Sequence, residues 1–170
     1  MKFMHVILMT ALLASPVLAS TGVEEPKQMS WSFDGVFGKF DKPSVQRGFQ
    51  VYKEVCSACH SLKRVSFREF TKIGFSEAEV KSLAAGYQIK DGPNDAGDMF
   101  ERPGRPSDKF PEPYANENAA RASNNGALPP DQSLLVKARP DGANYIYSLL
   151  ISYGHEVPEG MSIPEGAHYN

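Results

Sequence analysis

Cys56-Ser57-Ala58-Cys59-His60 is the stretch on which the reading of this chain turns. Two thiols three positions apart on one helical turn can each form a thioether with one vinyl group of a single porphyrin. The next residue, His60, then stands where an imidazole can ligate the iron. The motif uses both of the chain's 2 cysteines. Other chemistries share part of the pattern. A thioredoxin-type redox pair needs only two cysteines with a lowered thiol pKa. Zinc needs four ligands, and there is no second cysteine pair to supply them. A disulfide between the two would be stable in an oxidising compartment. The histidine directly after the second cysteine, together with an export signal, favours one covalent haem c on Cys56 and Cys59.

That signal lies over residues 1–19. Lys2 gives a short positive start, Val6 to Leu13 an apolar run, and Val17-Leu18-Ala19 the small residues of a cleavage site before Ser20. The run is too short for about 30 Å of hydrocarbon, and Pro16 breaks its far end, so cleavage is expected rather than anchoring. The absence of an Arg-rich amphipathic pattern favours a bacterial envelope address, on the periplasmic side of the inner membrane. Of 18 basic and 20 acidic residues the segment holds Lys2 alone, so its loss makes the formal charge of −2 one unit more negative. A general nucleic-acid binder, which needs a basic face, is excluded. The roughly 150 residues that remain suffice for one domain. With 13 Pro and 14 Gly, much of its core is expected to be wrapped by loops.

Around the motif, helical spacing is the main signal. Residues 20–43 read as an irregular segment packed on the domain through Trp31, Phe33, Phe37 and Phe40. A helix is expected from Ser44 to Val55, with Ser44 as cap after Pro43 and Val45, Phe49 and Tyr52 on one face. Ser66 to Ile73 should form a short helix ended by Gly74, and Ser76-Glu77-Ala78-Glu79 is a capping box opening a helix through about Tyr87. From Ile89 to Pro113 periodicity is lost in favour of turn residues, with Met99, Phe100, Phe110 and Tyr114 arguing for an ordered wrap. Asn116 to Ser123 can form a helical turn ended by Asn124-Asn125-Gly126. Asp141 is the expected cap of a last helix over Gly142 to Ser152. No strand pattern stands out. The fold class is therefore all-α, with residues 44–170 as a cytochrome c-type domain.

Several blocks carry the identification further. They are Arg47 to Cys56, Asp91-Gly92-Pro93-Asn94, Met99 to Gly104, Phe110 to Tyr114, Ala119 to Ala122, and above all Asn124-Asn125-Gly126-Ala127-Leu128-Pro129-Pro130-Asp131. In this order they resemble the cytochrome c1 family, the haem subunits of quinol–cytochrome c oxidoreductase (bc1) complexes. The resemblance runs from about Trp31 to Asn170. It implies a class I cytochrome c-like domain with long irregular loops, and His60 as the fifth iron ligand. Asn124 falls among the cofactor-binding positions, and Pro130 sits in a proline segment packed against the haem and its histidine. A backbone carbonyl there can accept the imidazole N–H. Arg139 and Tyr145 match positions at the haem propionates.

By the same resemblance the work is one-electron transfer, from a Rieske iron–sulfur protein to a c-type cytochrome, within a complex that includes cytochrome b. The chain would be no enzyme by itself. A free-standing periplasmic c-type carrier is the alternative, and a five-coordinate haem catalyst or a thiol–disulfide protein are lesser ones. Family members carry a methionine sixth ligand and then a membrane helix beyond the position of Asn170, so the chain reads as the N-terminal part of a longer, membrane-anchored protein, C-terminally incomplete. Met29, Met99 and Met161 are not assigned as ligands, and His155 and His168 read as surface histidines. The acidic cluster that often follows the Ser76–Tyr87 helix is replaced here by Ala84-Ala85-Gly86.

Overall fold

A computed structural model describes residues 25–170. The signal segment expected over 1–19 lies outside the described residues. Helix α1 (Lys42–Glu54) starts one turn earlier than the sequence suggests. Its cap is Asp41 rather than Ser44: the Asp41 carboxylate accepts from the Ser44 amide at 3.2 Å. Pro43 follows in the first turn, where its missing N–H costs nothing. A 3₁₀ helix, Phe67–Ile73, ends at Gly74 with φ 101°, the left-handed stop that glycine adopts without strain. Helix α2 (Glu77–Ala85) opens on the expected capping box. Ser76 Oγ accepts from the Glu79 amide while the Glu79 carboxylate accepts from the Ser76 amide at 2.8 Å. That double bond satisfies two amides the helix itself leaves free.

The all-α expectation needs one correction. Strands β1 (Gln88–Asp91) and β2 (Phe100–Pro103) form a two-stranded antiparallel ladder, with Gln88 opposite Pro103 and Asp91 opposite Phe100. Four-residue strands lack the length to show a period of two, and a side-chain pair reinforces the main-chain ladder. Arg102 pairs with Asp91 across the ladder and reaches Asp108 with both terminal nitrogens, at 2.6 and 3.1 Å. The fork-to-fork geometry binds the following loop to the ladder. Asp108 also accepts from the Arg105 amide at 2.7 Å, and these bonds hold its carboxyl below the usual range, against the opposing effect of its burial.

The anchored loop then reaches the core. Main-chain bonds from Phe67 to Asp108 (3.0 Å), Arg68 to Pro106 (2.7 Å) and Phe110 to Val65 (3.1 Å) zip it to the 3₁₀ helix, and Phe110 is buried among Phe67, Phe70, Val80 and Ala84. Phe67, with 0% exposure, meets the Phe110 ring at 4.3 Å and Tyr87 at 5.2 Å. Phe49 brings α1 onto the same cluster, its ring 4.3 Å from Phe70. Gly104 is required for the loop's close approach to α2: a Cβ there would lie 2.5 Å from the Ala84 carbonyl oxygen. The ordered wrap expected from Phe110 is thus present, whereas Met99 and Phe100 remain largely exposed.

Helix α3 (Glu117–Ser123) is capped by Asn116, whose Oδ1 accepts from the Ala119 amide at 2.9 Å. After the 3₁₀ turn Leu135–Ala138 comes helix α4 (Gly142–Ile151). Asp141 precedes α4 as expected but does not cap it: its φ is 57° and its side chain makes no capping bond. The N-terminal segment is laid along α4. Asn144 Oδ1 accepts from Trp31 Nε1 (2.7 Å) and the Met29 amide (3.2 Å), and Trp31 meets Tyr147 edge-on at 5.7 Å. Val36 and Phe37, at the tip of that segment, are 94% and 92% exposed, so only part of its aromatic run packs. Among the described residues, no helix is long and apolar enough to cross a membrane.

Candidate functional site

The site begins where α1 runs out. The Val55 amide still bonds to Val51 at 2.9 Å, and the chain then tightens into the 3₁₀ turn Cys56–Ala58. The Cys56 carbonyl receives both the Cys59 amide (3.1 Å) and the His60 amide (2.8 Å), which closes the motif into one compact turn. Ser57 Oγ donates to the Lys53 carbonyl at 2.8 Å and ties the turn back to α1. Cys56 and Cys59 are free thiols, each half-buried.

His60 is held from two sides. The phenol of Tyr52, on α1, donates to the His60 carbonyl at 3.0 Å and fixes its backbone. Its ring Nδ1 lies 2.8 Å from the carbonyl oxygen of Pro130. A proline carbonyl can only accept, so Nδ1 carries the proton and Nε2 presents a lone pair. Burial pushes the Tyr52 phenol up to about 12, and nearby Tyr87, Asp131 and Cys56 add to the shift.

Pro130 reaches His60 because the segment after α3 returns across the motif's exit. Ser61 Oγ donates to Asp131 Oδ2 (2.7 Å), the Lys63 amide donates to the same oxygen (3.0 Å), and the Gln132 amide bonds to the Ser61 carbonyl (2.9 Å). Burial raises the Asp131 pKa, but the bonds from Ser61, Ser133 and the Lys63 amide outweigh it and hold the carboxyl below the usual range. Beside this crossing, a cleft of about 280 Å³ is lined by Cys59, Tyr114, Leu128, Pro129 and Pro130.

The remaining sequence-derived candidates stand apart. The Asn124 side-chain Nδ2 donates to the Ala120 carbonyl (2.7 Å) and the Tyr114 hydroxyl (3.1 Å), which closes the C-terminus of α3. Arg139 is exposed. Its guanidinium donates to the Ala138 carbonyl and lies 6.0 Å from the centre of the Tyr145 ring. Tyr145 lines a second groove, of about 800 Å³, with Pro26, Leu149, His155 and Tyr169. Sequence reading singled out neither Tyr52 as the anchor of the His60 backbone nor Asp131 as the link between the two segments. Tyr52 lies in the last turn of α1 and the chain leaves α-helical geometry before His60, so helical spacing carried no signal for this bond.

The donor set suits a covalently held haem. Two free thiols three positions apart are followed by an imidazole whose Nδ1 is committed to a carbonyl, which leaves Nε2 to ligate. Several apolar side chains are also left uncovered. Val55, Leu128, Leu134 and Val136 lie open to solvent, and α4, though rich in Tyr, Ile and Leu, contains no buried residue.

Comparison with known proteins adds to this geometry. The family described as "Cytochrome C1 family" matches residues 31–170. The chain is 56% identical to the cytochrome c1 of Rhodospirillum rubrum over 137 residues, covering 81% of this chain and 50% of that protein. It is 48% identical to "Cytochrome c1 1, heme protein, mitochondrial" of Arabidopsis thaliana, covering 96% of this chain and 53% of the relative. It is 49% identical to "Cytochrome b/c1" of Bradyrhizobium diazoefficiens, covering 89% of this chain and 25% of that longer protein. The chain spans about half the length, or less, of these relatives.

Proposed function

Since the chain belongs to the cytochrome c1 family, we propose that it carries one haem c, which Cys56 and Cys59 would bind covalently and whose iron His60 would ligate, and that it works by one-electron transfer. When bound, the haem supplies a ferrous/ferric couple and the protein sets its potential. The observation that carries this reading is the 2.8 Å contact between His60 Nδ1 and the Pro130 carbonyl. It selects the tautomer, orients the ring and raises the basicity of Nε2, as the partners of ligating histidines do. Cys56 and Cys59 would hold the group on a turn already braced by α1. Arg139 is the residue suited to pair with a propionate by a bidentate bond, with Tyr145 beside it. Asn124 would act by shaping the loop that leads to Pro129 and Pro130.

The family supports a wider setting. The chain would be the haem subunit of a bc1-type quinol–cytochrome c oxidoreductase. It would accept electrons from a Rieske iron–sulfur subunit beside cytochrome b and pass them to a c-type cytochrome. After export and removal of residues 1–19, residues 44–170 would fold as a class I cytochrome c-type domain on the periplasmic side of the inner membrane. No bond of a substrate is made or broken in this subunit. Expression in a periplasm that matures c-type cytochromes, followed by redox titration, tests the reading. A reversible one-electron couple is expected, and haem that stays with the polypeptide through acid–acetone extraction. An exported, folded protein without a haem absorption band refutes it.

A further inference from the structure

We propose that Asp131 is a positioning residue for His60, acting through the Pro130 carbonyl; the inference rests on the haem-ligand role of His60 proposed above. Pro130 has no amide hydrogen with which to fix its own place, so the aim of its carbonyl depends on the residues that follow. Asp131 supplies the restraint. One carboxylate oxygen receives Ser61 Oγ (2.7 Å) and the Lys63 amide (3.0 Å), both just past His60 in the chain. The other receives the Ser133 amide at 3.1 Å, folding the segment back on itself. Two flanking bonds complete the crossing: Gln132 amide to Ser61 carbonyl at 2.9 Å and Arg64 amide to Ser133 Oγ at 3.1 Å. The two segments are about 70 residues apart and share no strand or helix. Of the bonds that join them, those of Asp131 flank the His60–Pro130 contact directly and carry a charge, which roughly doubles their strength over neutral ones.

The consequence follows from the ligand chemistry. A firm Nδ1–H···O=C bond makes the imidazole a stronger donor and favours ferric iron. Loosening the clamp should weaken that donation. Haem-loaded wild type, Asp131→Ala and Ser61→Ala would be compared by redox titration and by the iron–histidine stretching band in resonance Raman, and the haem-free forms by ¹⁵N NMR of the His60 ring, since iron on Nε2 would itself fix the proton on Nδ1. Asp131→Ala should have a more positive potential, a lower-frequency iron–histidine band and, in the haem-free protein, a His60 ring no longer held as the Nδ1–H tautomer. Ser61→Ala, which keeps the Asp131 charge, should move all three in the same direction by less. An unchanged band and tautomer in both variants would overturn the proposal, even if the potential moves in Asp131→Ala, because the charge would then act through space alone. If Asp131→Ala does not fold, Ser61→Ala decides by the same criteria. The tautomer measurement needs no haem. A wild type that attaches none refutes the proposed function, and the clamp is then judged by whether both variants still release the His60 ring.

Discussion

Replacing Phe67 by alanine should cost more stability than any other single truncation in the described core. Phe67 is fully buried, and its ring packs 4.3 Å from that of Phe110 and 5.2 Å from that of Tyr87. It joins the 3₁₀ helix to the loop that the Arg102–Asp108 pair delivers. A buried phenylalanine removes about 150–250 Å² from water, worth about 4–6 kcal/mol at about 25 cal/mol per Å². The measured range for such truncations, about 3–5 kcal/mol, includes the cavity left behind. In a domain of this size that should lower the melting temperature by roughly 6–20 °C. Urea unfolding followed by far-UV circular dichroism, with the haem-loaded protein as reference, gives the number. Phe37→Ala, at a 92% exposed position, is the control and should change stability by less than about 0.5 kcal/mol. A loss below about 1 kcal/mol at Phe67, or equal losses at both positions, would refute the placement of the core.

Other outcomes follow from the same contacts. Gly104→Ala should destabilise by about 1–3 kcal/mol in denaturant melts, because the added Cβ would press on the Ala84 carbonyl at 2.5 Å; an unchanged midpoint would mean that the loop sits farther from α2. The Tyr52 phenol, pushed up to about 12, ionises later in the folded chain than in the unfolded one. Stability from this group is therefore full below the ordinary tyrosine value of about 10 and declines as pH rises towards 12. Ultraviolet titration of the native protein against Tyr52→Phe should show one phenol missing from that late step, and identical curves would count against it. On the acid side, Asp108 and Asp131 have lowered pKa values, so their contribution is complete above the ordinary aspartate value and fades as pH falls. Unfolding free energy should drop from about pH 5 downward, less steeply in Asp108→Asn, and parallel curves would contradict this.

What was legible in the sequence was mostly local. Ser76 and Glu79 satisfy amides within one turn of themselves, Gly74 stops a helix by its own backbone freedom, and α4 declares itself by spacing. Even local chemistry misled where two residues could do one job. Asp41 and Ser44 are both good caps, and Pro43 in the first turn was the clue that favoured Asp41. Asp141 is a capping residue type held in a left-handed conformation that prevents capping. The ladder of β1 and β2 was not legible, because Gln88-Ile89-Lys90-Asp91 has neither alternation nor length. Its partner ion pair also joins residues eleven apart in the chain. In the candidate site, Cys56, Cys59 and His60 were picked out by their spacing together with the export signal, and Pro130 only by the family resemblance. Asp131 was invisible as a link because Ser61 and Lys63, the residues it joins, lie about 70 positions away.

The measurement that bears most directly on the account is the mass of the proteolytic peptide spanning Cys56–His60, taken from protein exported by a host that matures c-type cytochromes. One haem should be added to that peptide, with neither Cys56 nor Cys59 open to alkylation. The peptide from a Cys56→Ser, Cys59→Ser double variant should carry none. A wild-type peptide at its bare mass, with both thiols alkylated, would contradict covalent haem attachment.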